Sequence, residues 1–389
     1  MEVNKILTHL YSPLMAIICL ALLCGHTAHV SVVTIFHIAL ALAAFLALIC
    51  RSPLPRLFYI VAAYCIVYTV WTLSAALPWD PPLDGKDTAR FLMIPILILA
   101  PLRLMLIAPR KALKCFLFVS IAYLLFCLTI GAVEHFMGWH LPTSAAYGAG
   151  TVAPHLSTGL CYNPNDYSVL LVMSALYIFA YATHFTSRRW HLWGGTPLAL
   201  CLPPLVWNQC YTGLVIVVLI LLFYLSRRVR IRRKTAISLL IATAILATCF
   251  IAIKWDIIVP RLQIYIASIT SLYDSYGIGF GPCGDRHYMA GLNNYDITYG
   301  LTNAHSYLLQ LLLTSGLPVF LLYCLLIAYT MKSASRQGRD LFWIMPILYI
   351  MLLFSPASSL YLWGHYLFFD AFLCYAAYSD GTKIKDVTA

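Results

Sequence analysis

Long apolar runs alternate with short polar segments along the whole chain. Twelve such runs can be traced, at residues 6–24, 30–50, 57–77, 88–107, 113–133, 166–185, 192–207, 211–227, 235–254, 305–331, 341–356 and 360–379. Most are long enough to cross about 30 Å of hydrocarbon as helices. Runs 192–207 and 211–227 are short, and they are either two separate segments or one kinked pair around Asn208–Tyr211. The first run has no convincing cleavage site behind it, so we predict a retained span.

Composition agrees with this pattern. Of 389 residues, 62% are hydrophobic and only 10% are charged, whereas soluble domains carry about 25% charge. We therefore predict an all-α fold: a polytopic membrane helix bundle of about 12 transmembrane helices. A single integral membrane domain would cover residues 1–389.

Basic residues are divided unequally between the two sets of connecting loops. Nineteen of the 25 Lys and Arg residues lie at the termini or in the loops after even-numbered runs. By the positive-inside rule, both termini are predicted to be cytoplasmic. The net charge of +11 then reflects topology and contact with anionic membrane lipid, and no nucleic-acid partner is expected.

The opposite face carries three longer loops, and the last of them, residues 255–304, has structure of its own. From Arg261 onward the segment RLQIYIASITSLYDSYG has apolar residues at helical spacing. We predict an amphipathic helix lying along the membrane face, with Arg261 and Tyr265 on the same side. The following glycine-rich turn, GIGFGPCGDRHY, does not match a dinucleotide-binding fingerprint.

His305 is the leading candidate for chemistry. It is predicted to lie in the first turn of run 305–331, at the membrane–water boundary. The field of a helix N-terminus disfavours an imidazolium and attracts phosphate, so a proton acceptor and an anion site can share one helix end. The alternative is an interfacial histidine with no chemical role.

Two outer-face arginines are candidates for binding an anion. Arg261 and Arg90 can each bind a pyrophosphate through two parallel hydrogen bonds. Alternatively, each only helps to set the membrane topology or extends its charged group to the membrane surface. Asn163-Pro164-Asn165-Asp166 is either a cap and turn before a span or a source of amides for sugar hydroxyls. Asp370 is costly in lipid unless it is paired or faces a cavity, and Arg103 is a candidate structural partner.

The sequence contains no motif for the other common catalytic or nucleotide-binding sites. The chain has no HExxH motif or Cys/His cluster, and no GxSxG elbow or Walker loop, so neither a metal nor a cofactor is expected. The thirteen cysteines are scattered. Cys161 and Cys283 both fall in loops, where a disulfide is the less favoured of two alternatives.

Taken together, these motifs resemble the O-antigen ligase and polymerase superfamily of bacterial inner membranes. The resemblance rests on the predicted topology and on the order of five features. These are Asn163-Pro164-Asn165 before a span, Arg261 and Tyr265 in a loop helix, a glycine turn at Gly277–Gly281, His305-Ser306 with Gln310, and Gly316, which is separated from Ser306 by nine residues. Two positions depart from the family pattern. Val319, three residues after Gly316, replaces a Gly, Thr or Tyr. Tyr211 stands where an arginine is common. Unless the alignment is shifted, Arg90 or Arg286 must take the place of that arginine.

The resemblance implies a metal-independent, inverting glycosyl transfer on the periplasmic side of the inner membrane. The donor would be a polysaccharide on undecaprenyl pyrophosphate, and the acceptor a sugar hydroxyl on the lipid A-core. By the same resemblance, Arg261 and Arg90 would hold the pyrophosphate and His305 would be the base. The remaining substrate-binding candidates are Asn163, Asn165, Tyr265, Ser306, Gln310 and Tyr211.

Two other functions remain open at this stage. A polymerase would use the same donor to extend O-antigen or capsule repeat units; the third loop has only Arg261 and Arg286, which favours the ligase branch. A multi-span transporter is the third hypothesis. Transporters usually have inverted repeats and helices broken at mid-membrane, and neither is evident in the sequence.

Overall fold

The protein is described here by a computed structural model that covers residues 2–24, 30–49, 53–78, 85–142, 144, 155–161, 163–185, 190–228, 255–282, 306–336, 341–353 and 363–379. Within these residues the secondary structure is helical, with no strand. The helices are α1 (Glu2–Cys24), α2 (Val30–Ile49), α3 (Arg56–Ala76), α4 (Gly85–Met105), α5 (Pro109–Met137), α6 (Pro164–Phe185), α7 (Trp190–Trp207), α8 (Tyr211–Arg228), α9 (Trp255–Asp274), α10 (Tyr307–Ser335), α11 (Met345–Leu353) and α12 (Gly364–Ser379), with a 3-10 turn at Leu341–Trp343.

The predicted all-α class is confirmed, and the composition of the helices fits a membrane-embedded protein. Five helices are long and apolar enough to cross a bilayer, namely those at Arg56–Ala76, Thr88–Met105, Pro109–Met137, Pro164–Phe185 and Tyr307–Ser335. The other predicted runs overlap the remaining helices, except run 235–254, which lies outside the described residues. The count of about 12 spans remains a prediction.

Runs 192–207 and 211–227 form two helices. α7 ends at Trp207, and α8 begins at Tyr211. Gln209, between them, has φ 54°, a left-handed conformation that a continuous helix cannot contain.

Helix α12 lies at the centre of the bundle. It packs against α1, α3, α4, α5, α6, α10 and α11. Every residue from Trp363 to Ala377 is buried, which is expected of a helix that is hydrophobic all round. Helix α6 is buried almost as completely, from Asp166 to Ala180. The helices that carry the candidate site pack around these two.

Helix α9 occupies the loop where an amphipathic helix was predicted. It begins at Trp255, so Arg261 lies six residues inside it instead of at its start. Of the apolar residues at helical spacing, Leu262, Ile266, Ile269 and Tyr273 are exposed, whereas Tyr265 and Leu272 are partly buried. Smaller residues such as Ala267, Ser268 and Ser271 are buried instead, and α9 packs against α10.

Candidate functional site

Helix α10 is broken inside its apolar run. Gly316 has φ 71° and ψ −179°, which is outside the helical region. Two residues later Pro318 has no N–H to donate to the carbonyl of Thr314, four residues back. The break therefore leaves backbone carbonyl groups without helical partners, and these groups must be satisfied elsewhere in an apolar interior.

The glycine turn at Gly277–Gly281 supplies the missing hydrogen bonds. The N–H of Phe280 donates to the Leu313 carbonyl at 2.8 Å, and the N–H of Gly281 donates to the Thr314 carbonyl at 2.9 Å. In return, the N–H of Leu317 donates to the carbonyl of Gly277 at 2.9 Å. The turn thus completes both ends of the broken helix.

Glycine is required here because the two backbones touch. A Cβ built on Gly316 would overlap the carbonyl of Ile278, and one built on Gly279 would lie 2.6 Å from the backbone N of Gly316. A Cβ on Gly281 would overlap Ala76 of α3. The glycines that carry the family resemblance therefore form one close-packed contact.

Helix α3 holds this contact from the other side. The indole Nε1 of Trp71 donates to the Ile278 carbonyl at 3.1 Å. The hydroxyls of Thr72 and Ser315 are hydrogen-bonded at 2.8 Å and fully buried. These polar contacts fix α3, the glycine turn and α10 relative to one another.

Tyr265 links α9 to the same unit. Its partly buried side chain packs against a small cluster of Phe280, Leu309 and Leu313. Of the residues predicted for the site, the structure brings Tyr265, Gln310 and the glycine turn to one region on the first half of α10.

The N-terminus of α10 begins immediately after His305. Ser306 is its N-cap, with extended backbone, but its hydroxyl makes no cap hydrogen bond. That hydroxyl lies 3.4 Å from the Leu353 carbonyl instead. The first N–H groups of α10 therefore lack the usual side-chain acceptor of an N-cap residue, and such a terminus suits an anion.

The predicted run 305–331 begins two residues before the helix itself. His305 lies outside the described residues, and of Arg261 only the backbone in α9 is described. Gln310 is buried, and its N–H donates to the Ser306 carbonyl at 2.8 Å.

A buried group of aromatic side chains lies beneath the first turn of α10 and was not foreseen from the sequence. The hydroxyl of Tyr349 and Nδ1 of His365 are 2.6 Å apart. The ring of Tyr307 meets the His365 ring edge-on at 4.8 Å between centroids. These contacts tie the α10 N-terminus to α11 and α12.

Asn163 acts as the cap of α6. Its Oδ1 accepts the N–H groups of Asn165 and Asp166 at 3.0 and 2.8 Å. Its Nδ2 donates to Oδ2 of Asp166 at 2.7 Å. This geometry is the cap-and-turn alternative of the sequence analysis, and a role for Asn163 or Asn165 in substrate binding remains a prediction.

Asn208, between α7 and α8, fastens the loop that precedes α6. It exchanges two hydrogen bonds with the backbone of Ser157, each 2.8 Å. Its Nδ2 also reaches the Ser168 hydroxyl at 3.2 Å. Tyr211 begins α8 three residues later, partly buried, with its hydroxyl 3.4 Å from Oε1 of Gln209. Asn163, Asn165 and Tyr211 thus belong to a second region, around α6, α7 and α8.

A buried carboxylate holds the next two residues of the same loop. Glu134 of α5 accepts hydrogen bonds from the N–H and hydroxyl of Thr158, at 2.7 and 2.8 Å, and from the N–H of Gly159 at 2.7 Å. Nδ1 of His140 lies 3.4 Å from it. The only sequence signal was a lone acid at the end of an apolar run.

Cys161 closes this loop with a free, buried thiol. Burial, and secondly the charge of Asp166, raises the pKa of that thiol well above its usual value. It forms no disulfide with any cysteine in the described part of the chain, and Cys283 lies outside that part.

Two other residues that the sequence singled out lie on α4 and α12. Arg90 has an exposed side chain near the start of α4. Asp370 is fully buried in α12, and neither carboxyl oxygen has a hydrogen-bond partner among the described residues. No ion pair joins it to Arg103 there, so the structure does not support Arg103 as its partner.

We compared the chain with family models, curated proteins and solved structures, and none of the three comparisons gives a match.

Proposed function

We propose that this protein is an O-antigen ligase-like glycosyltransferase of the bacterial inner membrane. It would transfer a polysaccharide from undecaprenyl pyrophosphate to a sugar hydroxyl of the lipid A-core. The observation that carries the proposal is the interlocking of Gly277–Gly281 with Gly316. Residues that are 35 or more apart in sequence and that carry the resemblance meet in one unit, at the helix that follows His305.

The proposed reaction needs three functions at this helix end. The acceptor hydroxyl oxygen attacks the anomeric carbon of the donor from the side opposite the pyrophosphate, so the configuration inverts. The bond between that carbon and the pyrophosphate oxygen breaks, and the pyrophosphate leaves with its electron pair. His305 takes the proton of the attacking hydroxyl, while Arg261, Arg90 and the uncapped start of α10 stabilise the leaving anion.

The proposed orientation places both termini in the cytoplasm and the site in the periplasm. The exposed stripe of α9, at Leu262, Ile266 and Ile269, supports a helix that lies in the membrane interface with this face in lipid. Such a placement brings Tyr265 and the start of α10 to the depth at which a lipid-linked pyrophosphate is presented.

The break in α10 favours a second candidate, because transporters often bind their substrates at broken helices. There, unwound carbonyl groups are free to coordinate an ion. Here the carbonyls of Leu313 and Thr314 already accept hydrogen bonds from the glycine turn. The break in α10 therefore allows the glycine turn to pack against it and leaves these carbonyls less available to coordinate an ion. Glycan transfer remains the preferred function.

A transfer assay in proteoliposomes tests the proposal. The purified protein is supplied with a glycan on undecaprenyl pyrophosphate and with lipid A-core, in the presence of EDTA. We expect glycan-capped lipid A-core from the wild type and none from His305→Ala. The matched control His37→Ala, at an exposed position on α2, should retain activity.

Other outcomes select other functions. Longer donor chains without any capped lipid A-core would indicate the polymerase. Solute uptake without transfer would indicate a transporter. Normal transfer by His305→Ala would remove the base from the mechanism even if the ligase activity stands.

A further inference from the structure

An open groove lies between α3 and α10, away from the glycine turn. Its volume is ≈ 620 Å³, within the range of about 300–1,000 Å³ that is usual for small-molecule sites. The lining is apolar except for two tyrosines and one lysine. The lining residues are Ile60, Ala63, Tyr64, Val67, Leu322, Leu325, Leu326, Ala328, Tyr329 and Lys332.

The two helices run antiparallel along this groove, and this fixes its direction. Thr72 contacts Ser315 beside the glycine turn. Farther along both helices the rings of Tyr64 and Tyr323 lie 6.1 Å apart. The groove continues from there to Ile60 and Lys332, so its far end is opposite the candidate site.

That far end is basic. Lys332 lines the groove with an exposed side chain. Arg56 is the first residue of α3 and lies one turn before Ile60, on the same helix face. Neither Lys332 nor Arg56 takes part in an ion pair within the described residues, and no acidic residue lines the groove.

The length of the groove matches half a bilayer. Leu322 and Lys332 are ten residues apart, which is about 15 Å of helix. The hydrocarbon core is about 30 Å thick, so the groove spans one leaflet. An acyl chain that fills it would place its headgroup at the level of Lys332.

We propose that this groove binds one anionic phospholipid from the leaflet on the Lys332 side. One acyl chain lies between α3 and α10, and the phosphate is held by Lys332 and Arg56. The positive end selects an anionic headgroup. The site is separate from the proposed donor site, because a lipid-linked donor would present its pyrophosphate at the opposite end of α10.

Lipid retention in native mass spectrometry tests this inference. The full chain is delipidated in mild detergent and then offered equal amounts of phosphatidylglycerol and phosphatidylcholine with identical acyl chains. We expect phosphatidylglycerol to be retained preferentially. Lys332→Ala and Arg56→Ala should each lower that retention about fivefold, and Ala63→Trp should block both lipids by filling the groove.

Matched variants separate binding from general effects. Lys114→Ala removes another exposed lysine of the basic face, and Ile66→Trp adds a ring to α3 at an exposed position outside the groove. Both should retain phosphatidylglycerol as the wild type does. Elution volume and thermal unfolding identify any variant that is misfolded. For such a variant Lys332→Glu provides the replacement measurement, with retention of phosphatidylglycerol expected to fall at least about fivefold below that of the wild type.

Three results would overturn the inference. These are equal retention of the two lipids by the wild type, unchanged retention in the double variant lacking Lys332 and Arg56, and a dimer whose formation is lost in Ala63→Trp, which would assign the groove to a second copy. The measurement uses no glycan donor, so its outcome is independent of the transfer assay.

Discussion

Gly316 and Ile278 are in direct backbone contact, although they lie in different structural elements. The position where a Cβ of residue 316 would lie is occupied by the carbonyl group of Ile278. That carbonyl also accepts the indole N–H of Trp71. The glycine is therefore needed for its left-handed φ and also for its lack of a side chain.

Gly316→Ala is expected to separate the glycine turn from α10. Gly316, with φ 71° and ψ −179°, lies in a backbone region that is essentially restricted to glycine and costs other residues about 1–3 kcal/mol, and the overlap with Ile278 forces the backbone to move as well. We expect a destabilisation of more than about 2 kcal/mol by thermal unfolding in detergent, together with loss of transfer activity.

Gly195→Ala provides the control for this change. Gly195 lies in α7, and a Cβ there would meet no atom within 4 Å. Alanine inside a helix gains about 0.5–1 kcal/mol over glycine, so this variant should be neutral or slightly stabilised. Equal stability of the two variants would show that the contact at Gly316 is not required.

Hydropathy predicted the helices well, because burial in lipid demands long apolar runs whatever their neighbours are. It did not predict the break in α10. Gly316 and Pro318 were visible as interruptions, but the groups that satisfy the broken helix lie on a turn more than 30 residues earlier. The supporting hydrogen bond from Trp71 to Ile278 spans 207 residues, and no local pattern encodes such a contact.

The packing face of α9 was missed for a related reason. Periodicity identified the stripe with Leu262, Ile266 and Ile269, which is exposed. The buried part of α9 includes Ile264 and also small residues such as Ser268 and Ser271, whose hydroxyls donate to carbonyls of their own helix. Small residues give a weak hydropathy signal, although they allow helices to approach closely.

Glu134→Gln is expected to loosen the loop at residues 155–161. The carboxylate accepts from three donors on Thr158 and Gly159, and an uncharged amide would remove the charged acceptor that these donors share. Hydrogen bonds to a charged group contribute about 1.5–3 kcal/mol each, so we expect a stability loss of at least about 1.5 kcal/mol. Amide hydrogen exchange in this loop should rise several-fold, whereas Asp274→Asn, at an exposed site, should leave it unchanged. Wild-type exchange in Glu134→Gln would contradict this account.

Asp370→Asn is expected to leave stability within about 1 kcal/mol of the wild type. Asparagine has nearly the same size, and the carboxyl has no hydrogen bond to lose among the described residues. Breaking a buried ion pair would instead cost about 3–5 kcal/mol. A double-mutant cycle with Arg103→Gln, followed by thermal unfolding, should give a coupling energy near zero. A coupling of several kcal/mol would restore the pairing predicted from the sequence.

Arg261→Lys tests whether a forked cation is needed for the leaving pyrophosphate. Lysine keeps the positive charge but loses the planar pair of donors that fits two phosphate oxygens. We therefore expect the rate of glycan transfer to fall at least about tenfold, with no change in thermal stability. The control Arg336→Lys lies just past the other end of α10 and should transfer normally. Because Tyr211 stands where the superfamily that the sequence resembles commonly has an arginine, Arg90→Lys and Arg286→Lys are measured alongside. The one with the larger loss identifies the second cation of the site, and full activity in Arg261→Lys would leave this arginine with a role in topology alone.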